Sequence, residues 1–170
     1  DKIVYGSMGV CTVTEIGVPD LPDAVRTCYV LKPHYVANSK VYAPVENNPV
    51  RMRQLLTAEQ VQTLIDGLPQ IESFPVDKDR QELYNTCRKA IRSADCFLLA
   101  KLLKTLYEKK QRTMEQRKTL PTVEKDYFNT AEKMLYGEIA VALDMPIEEV
   151  DEYIIQRLDG DYRQARAAVS

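Results

Sequence analysis

The chain has 170 residues, of which 45% are hydrophobic and 28% charged, a composition typical of a water-soluble globular protein. No apolar run approaches the roughly 18 residues needed to cross a bilayer, and the N-terminal stretch has a strand pattern rather than that of a targeting segment. We therefore expect a cytoplasmic protein and no membrane function. The net charge is −2, yet residues 76–118 contain 12 basic and only 6 acidic residues, so a basic block lies within an acidic chain.

The first fifty residues have the pattern of short β-strands. Residues 3–5, 10–16, 27–31 and 40–45 form runs rich in Val, Tyr, Thr and Ile. Gly-Ser-Met-Gly between the first two runs predicts a tight turn, and Asn47-Asn48-Pro49 is expected to end the β section. Four or five strands are too few for a sandwich. They predict a small SH3- or Tudor-like barrel with open edges.

From about residue 57 the apolar residues recur with a helical period. Thr57 and Gln60 predict a capping box at the start of a first helix, which Gly67 ends. A second helix is expected to begin near residues 76–78 and a third near residues 93–95.

A fourth helix is predicted after Pro121, and Pro146 in a first turn predicts a fifth that ends around Leu158. The apolar stripes of the second, third and fourth helices are Leu83, Cys87, Ala90, Ile91 and Ala94; Leu99, Leu102, Leu103 and Leu106; and Phe128, Ala131, Leu135, Ile139 and Ala142. The chain is thus predicted to be an α+β protein of two domains. The small β-barrel occupies residues 1–52, and an all-α domain of about five helices occupies residues 53–170, of which about the last ten fray.

The cysteines and the single histidine do not form a pattern typical of catalysis or metal binding. Cys11, Cys28, Cys87 and Cys96 are far apart and have no C-x-x-C spacing, so they are expected to be core residues in a reducing compartment rather than zinc ligands. His34, in a Pro-His-Tyr turn, is expected to be exposed. With six glycines, the chain has no G-x-S-x-G, H-E-x-x-H or glycine-rich phosphate loop. We expect neither an enzyme nor a cofactor.

The basic block is regularly spaced in the second helix. Arg80, Tyr84, Arg88 and Arg92 are four residues apart and form a stripe beside the apolar face. Such a stripe suits a sugar-phosphate backbone, with arginine entering a minor groove. The charge continues through Lys101, Lys104, Lys109, Lys110, Arg112, Arg117 and Lys118, and Lys101, Lys104 and Glu108 are expected on the outer face of the third helix. The alternative is a solvated surface on which some of these cations pair with Glu82, Asp95, Glu108 and Glu115 of the same helices.

The β section also has two interpretations. It is either a folding unit alone, or a module that accepts a strand of a partner at an exposed edge. The strand pattern does not distinguish between them.

Blocks of the sequence occur in the order and at the separations found in the CarD/CdnL family of bacterial transcription regulators. VYGSMGVCTV, YVLKPHY and KVYAPVEN resemble the family's V-Y-x-x-x-G-V, Y-x-V-L and K-V-Y-V-P-x-x-N blocks. Ser93-Ala94-Asp95 and TLPTVEKDYFNTAEKMLYGEIAVAL resemble its helical part, which ends in A-x-x-[ML]-L-x-x-E-[LI]-A. The resemblance covers nearly the whole chain. The β blocks also resemble the polymerase-interacting module of transcription-repair coupling factors.

The resemblance implies that a Tudor-like module docks on the β subunit of bacterial RNA polymerase by strand pairing, while the helices contact promoter DNA at the upstream edge of the bubble. The matching docking residues are Ser39, Lys40, Val41, Tyr42, Ala43 and Pro44, with Tyr42 where relatives often have a polar or basic residue. Some relatives insert a tryptophan into the minor groove. This chain has no Trp, and Arg80 occupies that position, with Tyr84 one turn later. An arginine enters a narrow groove but does not separate bases as an indole does.

The resulting hypothesis is a non-enzymatic, monomeric transcription regulator that alters the stability of the open promoter complex. Its DNA-binding residues are expected to be Arg80, Tyr84, Arg88, Arg92, Lys101, Lys104, Lys109 and Lys110. Binding to DNA alone is expected to be weak because the whole chain is negative, so the polymerase would supply the local concentration. The alternative is a Tudor-like adaptor for another protein, with a helical scaffold and no role in transcription. The sequence leaves open which promoters respond, and whether they are activated or repressed.

Overall fold

The N-terminal part of the chain forms one antiparallel sheet. The computed structural model describes residues 1–75 and 79–158. Its strands are β1 (Lys2–Tyr5), β2 (Val10–Gly17), β3 (Cys28–Pro33), β4 (Val41–Pro44) and β5 (Met52–Gln54). They lie in the order β4-β3-β2-β1-β5, so β4 and β5 form the two edges. The predicted β section is confirmed.

The turn between β1 and β2 depends on two glycines. Gly6 and Gly9 have φ angles of 46° and 71°, which L side chains rarely adopt. The Tyr5 N–H donates to the Gly9 carbonyl at 2.9 Å, and a Cβ on Gly6 would lie 2.5 Å from Cγ1 of Val50. The tight turn predicted from Gly-Ser-Met-Gly is confirmed.

The expectation that Asn47-Asn48-Pro49 ends the β section is wrong. Asn47 adopts a left-handed φ of 53°, and the chain then returns to the sheet. It forms β5, in which Arg53 lies opposite Val4 of β1. A three-residue strand of Met, Arg and Gln has no recognisable period, so only its pairing with β1 identifies it.

In the described part of the chain, five helices follow the sheet, as predicted. They are α1 (Ala58–Gly67), α2 (Arg80–Ser93), α3 (Cys96–Glu115), α4 (Thr122–Ala142) and α5 (Val150–Arg157). Short 3₁₀ turns, Leu68–Gln70 and Ile147–Glu149, follow α1 and precede α5. Within residues 1–75 and 79–158, no helix combines the length and apolar character that a membrane span requires.

Side-chain caps set several helix starts. The Thr57 hydroxyl accepts from the Gln60 N–H at 3.2 Å, and the Gln60 side chain accepts from the Thr57 N–H at 2.9 Å. The predicted capping box is therefore confirmed. Asp95 caps α3 in a similar way, by accepting from the Leu98 N–H at 3.0 Å.

One predicted helix start differs from the structure, and another falls on residues that the structure does not describe. α2 begins at Arg80, because the Asp79 side chain caps it; the expected start at residues 76–78 lies outside the described residues. α5 does not begin at Pro146, whose ψ of 143° is extended. The chain makes a 3₁₀ turn first, and the α-helix starts at Val150. Residues 159–170, which include the end expected to fray, are also outside the described part.

One apolar core joins the helices to the sheet. The predicted stripes of α2, α3 and α4 are in it, with Leu103, Phe128 and Ala142 only partly buried at its margin. Val4 and Val10 of the sheet belong to the same core. A smaller core on the other face of the sheet consists of Tyr5, Cys11, Leu31 and Ala43. The two predicted domains thus share hydrophobic packing.

The four cysteines are buried free thiols, as expected. Burial raises the pKa of Cys11 to about 11, so its reactive thiolate form is disfavoured. Among the described residues, no group of three or more His, Cys, Asp or Glu side chains is placed to hold a metal ion.

Candidate functional site

The expected docking segment lies at an edge of the sheet. Val41, Tyr42, Ala43 and Pro44 form β4, which pairs with β3, while Ser39 and Lys40 lie in the loop before it. Among residues 1–75 and 79–158, no strand pairs with the other side of β4. An edge of this kind presents backbone N–H and C=O groups that a foreign strand can pair with.

The side chains of β4 keep this edge in place. Ala43 is fully buried in the smaller core, and Val41 packs against the same core. Tyr42 points to the other face and is 38% exposed. The strand is therefore fixed from one face while an aromatic side chain is available on the other.

The opposite edge carries an ion pair whose carboxylate is buried. The guanidinium of Arg53 in β5 donates to both carboxylate oxygens of Glu138 in α4, at 2.7 and 2.6 Å. Arg53 also donates from Nε to the Ala94 carbonyl at 2.9 Å. Ala94 is the corner between α2 and α3, with a left-handed φ of 51°. A single side chain of the sheet thus joins β5 both to α4 and to the corner between α2 and α3.

Glu138 is at the centre of this cluster. It is 2% exposed and accepts, besides Arg53, the Leu56 N–H at 2.8 Å and the Cys96 thiol at 2.9 Å. Burial raises the pKa of Cys96, and the charge of Glu138 raises it further, so Cys96 remains a thiol that donates. Burial lowers the pKa of Arg53, but the hydrogen bond and charge of Glu138 outweigh it and the net shift is upward. Arg53 therefore remains charged beside the Glu138 carboxylate.

A second polar contact ties the β3–β4 turn to α4. The Tyr35 hydroxyl donates to the Gly137 carbonyl at 3.2 Å. A Cβ on Gly137 would lie only 2.7 Å from the Tyr35 ring, so the absence of a side chain there permits this close approach. Burial raises the pKa of Tyr35, as does the charge of Glu148 to a lesser extent, which keeps its hydroxyl protonated as a donor.

The arginine and tyrosine stripe of α2 borders α4. Tyr84 packs edge-on against Tyr127 of α4, with ring centroids 5.8 Å apart. Arg88 donates to the Tyr127 hydroxyl at 3.2 Å and to Asn85 at 2.5 Å. Arg80 and Arg92, at the two ends of the stripe, are exposed. The middle of the stripe thus stabilises the helix pair, and its ends face solvent.

Two of the expected DNA-binding lysines of α3, Lys101 and Lys104, contact the segment that precedes α2. The Nζ atom of Lys101 lies 4.8 Å from the centroid of the Phe74 ring. Lys104 donates to the Ile71 carbonyl. Lys101, Lys104 and Glu108 are all partly buried, so this outer face of α3 is only partly exposed to solvent. The segment before α2 covers part of this face of α3.

Lys109 forms an ion pair with a carboxylate that the sequence did not single out. Its Nζ lies 2.6 Å from Oε1 of Glu124, which is fully buried in the first turn of α4. Burial raises the pKa of Cys87 to about 11, and the charge of Glu124 contributes. Lys110 is partly buried. Pairing within one helix does occur for Arg112 and Glu108, which are 4.0 Å apart, but Lys104 and Lys109 bind other elements.

His34 is exposed, as expected. Its Nε2 lies 2.8 Å from the Thr12 hydroxyl. Partial burial lowers its pKa, and the charges of Lys2 and Lys32 lower it further. It has the properties of a neutral surface residue.

Sequence reasoning missed Arg53, Glu138, Tyr35 and Tyr127. Glu138 gave a usable signal, because it is adjacent to Ile139 and three residues after Leu135, within the apolar stripe of α4. A charged residue at such a position is buried and needs a partner. Arg53 gave no signal, since an arginine in a short polar segment is ordinarily solvated.

Two family models match the chain. The one described as CarD-like/TRCF RID domain covers residues 1–56, and the one described as CarD, C-terminal domain covers residues 71–155. A search of curated proteins found no match. The RID domain is Tudor-like, which confirms the predicted fold class. CarD-like domains are transcription-associated, and the RID family binds RNA polymerase without catalysing a reaction. The chain is therefore a member of the CarD/CdnL family.

Proposed function

We propose that the protein is a non-enzymatic regulator of transcription initiation that docks on the β subunit of bacterial RNA polymerase. Residues 1–52 would form the docking module, and residues 53–170 would contact promoter DNA at the upstream edge of the bubble. The observation that carries the proposal is the difference between the sheet edges. β4 is open among the described residues, while β5 is tied to the helices by Arg53 and Glu138.

The state of β4 supports docking by strand addition. Its outer backbone groups have no partner strand within the described chain, and its inner side chains are fixed by Ala43 and Val41. A preformed edge loses little conformational freedom when a second strand pairs with it. Main-chain hydrogen bonds would supply affinity, and the exposed Tyr42 ring would add specificity.

DNA contact is proposed first for the two exposed ends of the α2 stripe. Arg80 follows the Asp79 cap at the start of α2, and Arg92 lies in its last turn. Tyr84 and Arg88 are partly exposed between them and remain candidates, as do Lys101, Lys104 and Lys110. Lys109 is a weaker candidate because Glu124 neutralises it. Without a tryptophan, we expect phosphate and minor-groove contacts rather than insertion between bases.

The fixed geometry makes weak DNA binding sufficient. The chain has a net charge of −2, so free DNA is not strongly attracted. Once β4 is paired with the polymerase, the Arg53–Glu138 ion pair and the shared core hold α2 at a fixed position relative to the docking edge. DNA binding then becomes effectively intramolecular. A monomer acting in this way would shift the stability of the open complex.

Replacement of Tyr42 tests docking. Tyr42→Asp places a charge in the middle of the edge strand, and we expect binding to purified bacterial RNA polymerase core enzyme to weaken about tenfold or more. Phe97→Asp is the matched control, since Phe97 is an exposed aromatic of α3 and 51% accessible. Equal binding by the parent and Tyr42→Asp would contradict docking at β4. No polymerase binding by the parent would instead favour an adaptor for another protein.

Charge reversal at Arg80 and Arg92 tests the DNA contact. In a complex of polymerase and promoter, the double variant should bind more weakly and lower the salt dependence by about 0.9 in slope per lost phosphate contact. Reversal at Lys2 and Lys32, two exposed lysines of the sheet, is the control. The DNA assignment fails if both double variants have the salt slope of the parent, whatever the result for Tyr42.

A further inference from the structure

Exposed apolar side chains gather at the end of the β2–β3 hairpin. Val25 is 85% exposed, Ile16 65% and Val18 57%, and Leu21 and Val45 are also exposed. We call these five residues the hairpin-tip patch. Single exposed apolar residues are ordinary, but five at the end of one hairpin and beside it are typical of an interaction site.

The patch adjoins the docking edge. Gly17 pairs with Cys28, and Cys28 pairs with Pro44, the last residue of β4. The Val45 N–H donates to the Thr27 carbonyl at 3.0 Å, which holds Val45 beside the loop. A protein segment paired with β4 would therefore continue directly onto the patch.

The loop that carries the patch has a defined conformation. The Leu21 N–H donates to the Pro19 carbonyl at 2.9 Å, and the Ala24 N–H donates to the Leu21 carbonyl at 3.2 Å. Asp23 adopts a left-handed φ of 63°. These turns hold the apolar side chains outside the smaller core, so the loop presents them to solvent in the folded state.

The rim of the patch is acidic. Glu15, Asp20, Asp23 and Glu46 lie one or two residues from members of the patch in the sequence and are exposed, with Arg26 as the basic residue among them. Two copies of the chain facing each other through this surface would bring carboxylates together, which disfavours self-association. An apolar segment flanked by Lys or Arg has the complementary chemistry.

We infer that the hairpin-tip patch is the second half of the docking surface and binds an apolar polymerase segment flanked by basic residues, next to the strand that pairs with β4. This inference rests on the proposed docking function. Strand addition alone distinguishes poorly between partners, because it is formed by hydrogen bonds of the main chain and contacts few side chains. The patch would supply side-chain specificity for the polymerase.

The test is the double variant Val18→Ser and Val25→Ser, compared with Val36→Ser and Val123→Ser, which changes two exposed valines elsewhere. Affinity for purified bacterial RNA polymerase core enzyme is measured by biolayer interferometry without DNA. We expect the hairpin variant to bind about tenfold more weakly, and the control to stay within about twofold of the parent. Asp20→Lys should also weaken binding, and more so at low salt.

The outcomes separate the inference from the function it rests on. No binding by the parent contradicts polymerase docking itself. If the parent binds and Tyr42→Asp weakens binding while the hairpin variant equals the parent, docking stands and the inference is overturned. The inference also fails if sedimentation shows a dimer of the parent that the hairpin variant dissociates, because the occupant is then a second copy. Unchanged thermal melting of the hairpin variant shows that the fold is retained.

Discussion

The two edges of the sheet differ in what they contact. β5 is joined to the helices by Arg53, whose guanidinium contacts Glu138, Ala94 and Cys96. β4 pairs with β3 and, among the described residues, with no strand on its other side. A sheet edge without a partner strand can pair with strands of other chains, and natural sheets usually protect such an edge. Arg53 holds β5 against the helices, so we propose β4 as the edge that accepts an added strand.

The same difference determines where the helices lie relative to the β4 edge. The helices are fixed on the β5 side through the ion pair and through the core that includes Val4 and Val10. A partner strand at β4 would therefore bind on the side away from this ion pair. We propose that the pair sets this orientation, since an ion pair with a buried member is weak evidence for added stability.

The largest expected effect comes from breaking the Arg53–Glu138 ion pair at the β5 edge. Glu138→Ala leaves the Arg53 guanidinium and the Leu56 N–H without their buried acceptor, and we expect the free energy of unfolding to fall by about 3 kcal/mol. Urea denaturation monitored by circular dichroism measures it. Asp126→Ala, at an exposed position of α4, is the control and should change stability by less than about 0.5 kcal/mol. Equal stability of the two variants would contradict the account of the β5 edge.

A smaller effect is expected where the turn before β4 touches α4. Gly137→Ala places a Cβ 2.7 Å from the Tyr35 ring and should destabilise the protein by about 1–3 kcal/mol. Helix propensity alone would favour alanine by up to about 1 kcal/mol, so the sign of the change is diagnostic. In a Tyr35→Ala background, the same substitution should become neutral or stabilising. Destabilisation of equal size in both backgrounds would show that the Tyr35 contact is not the cause.

The smallest effect concerns pH and the same turn. The pKa of His34 is lower in the folded protein than the ordinary value of 6.5, so the unfolded chain binds more protons as the pH falls through that value. Stability should therefore decrease on acidification from about pH 7.5 to 5.5, and His34→Gln should remove that part of the decrease. Melting temperatures at the two pH values measure it. An identical decrease in both proteins would assign the effect to other groups.

The sequence predicted the features that depend on nearby residues. The Thr57–Gln60 capping box and the apolar stripe that contains Leu83 and Cys87 were correct because they depend on a spacing of three or four residues. The ordered family blocks led to the correct fold class and family.

The contacts that join distant segments were not predictable from spacing. Arg53 and Glu138 are 85 residues apart, and β5 becomes a strand only by pairing with β1. The role of Lys109 depends on Glu124, which comes from another helix. A basic residue in a sequence is equally compatible with solvent, DNA or a buried carboxylate, and only the packing of helices distinguishes these.

Hydrogen exchange of the backbone amides tests the central claim most directly. The protein is measured alone and with saturating RNA polymerase core enzyme, and the two edges are compared within the same molecule. We predict that amides of residues 39–43 gain protection on binding, because a polymerase strand pairs with β4, while those of residues 52–54 keep their protection. If polymerase is bound and the amides of residues 39–43 exchange as in the free protein, β4 does not accept a strand and the account is contradicted.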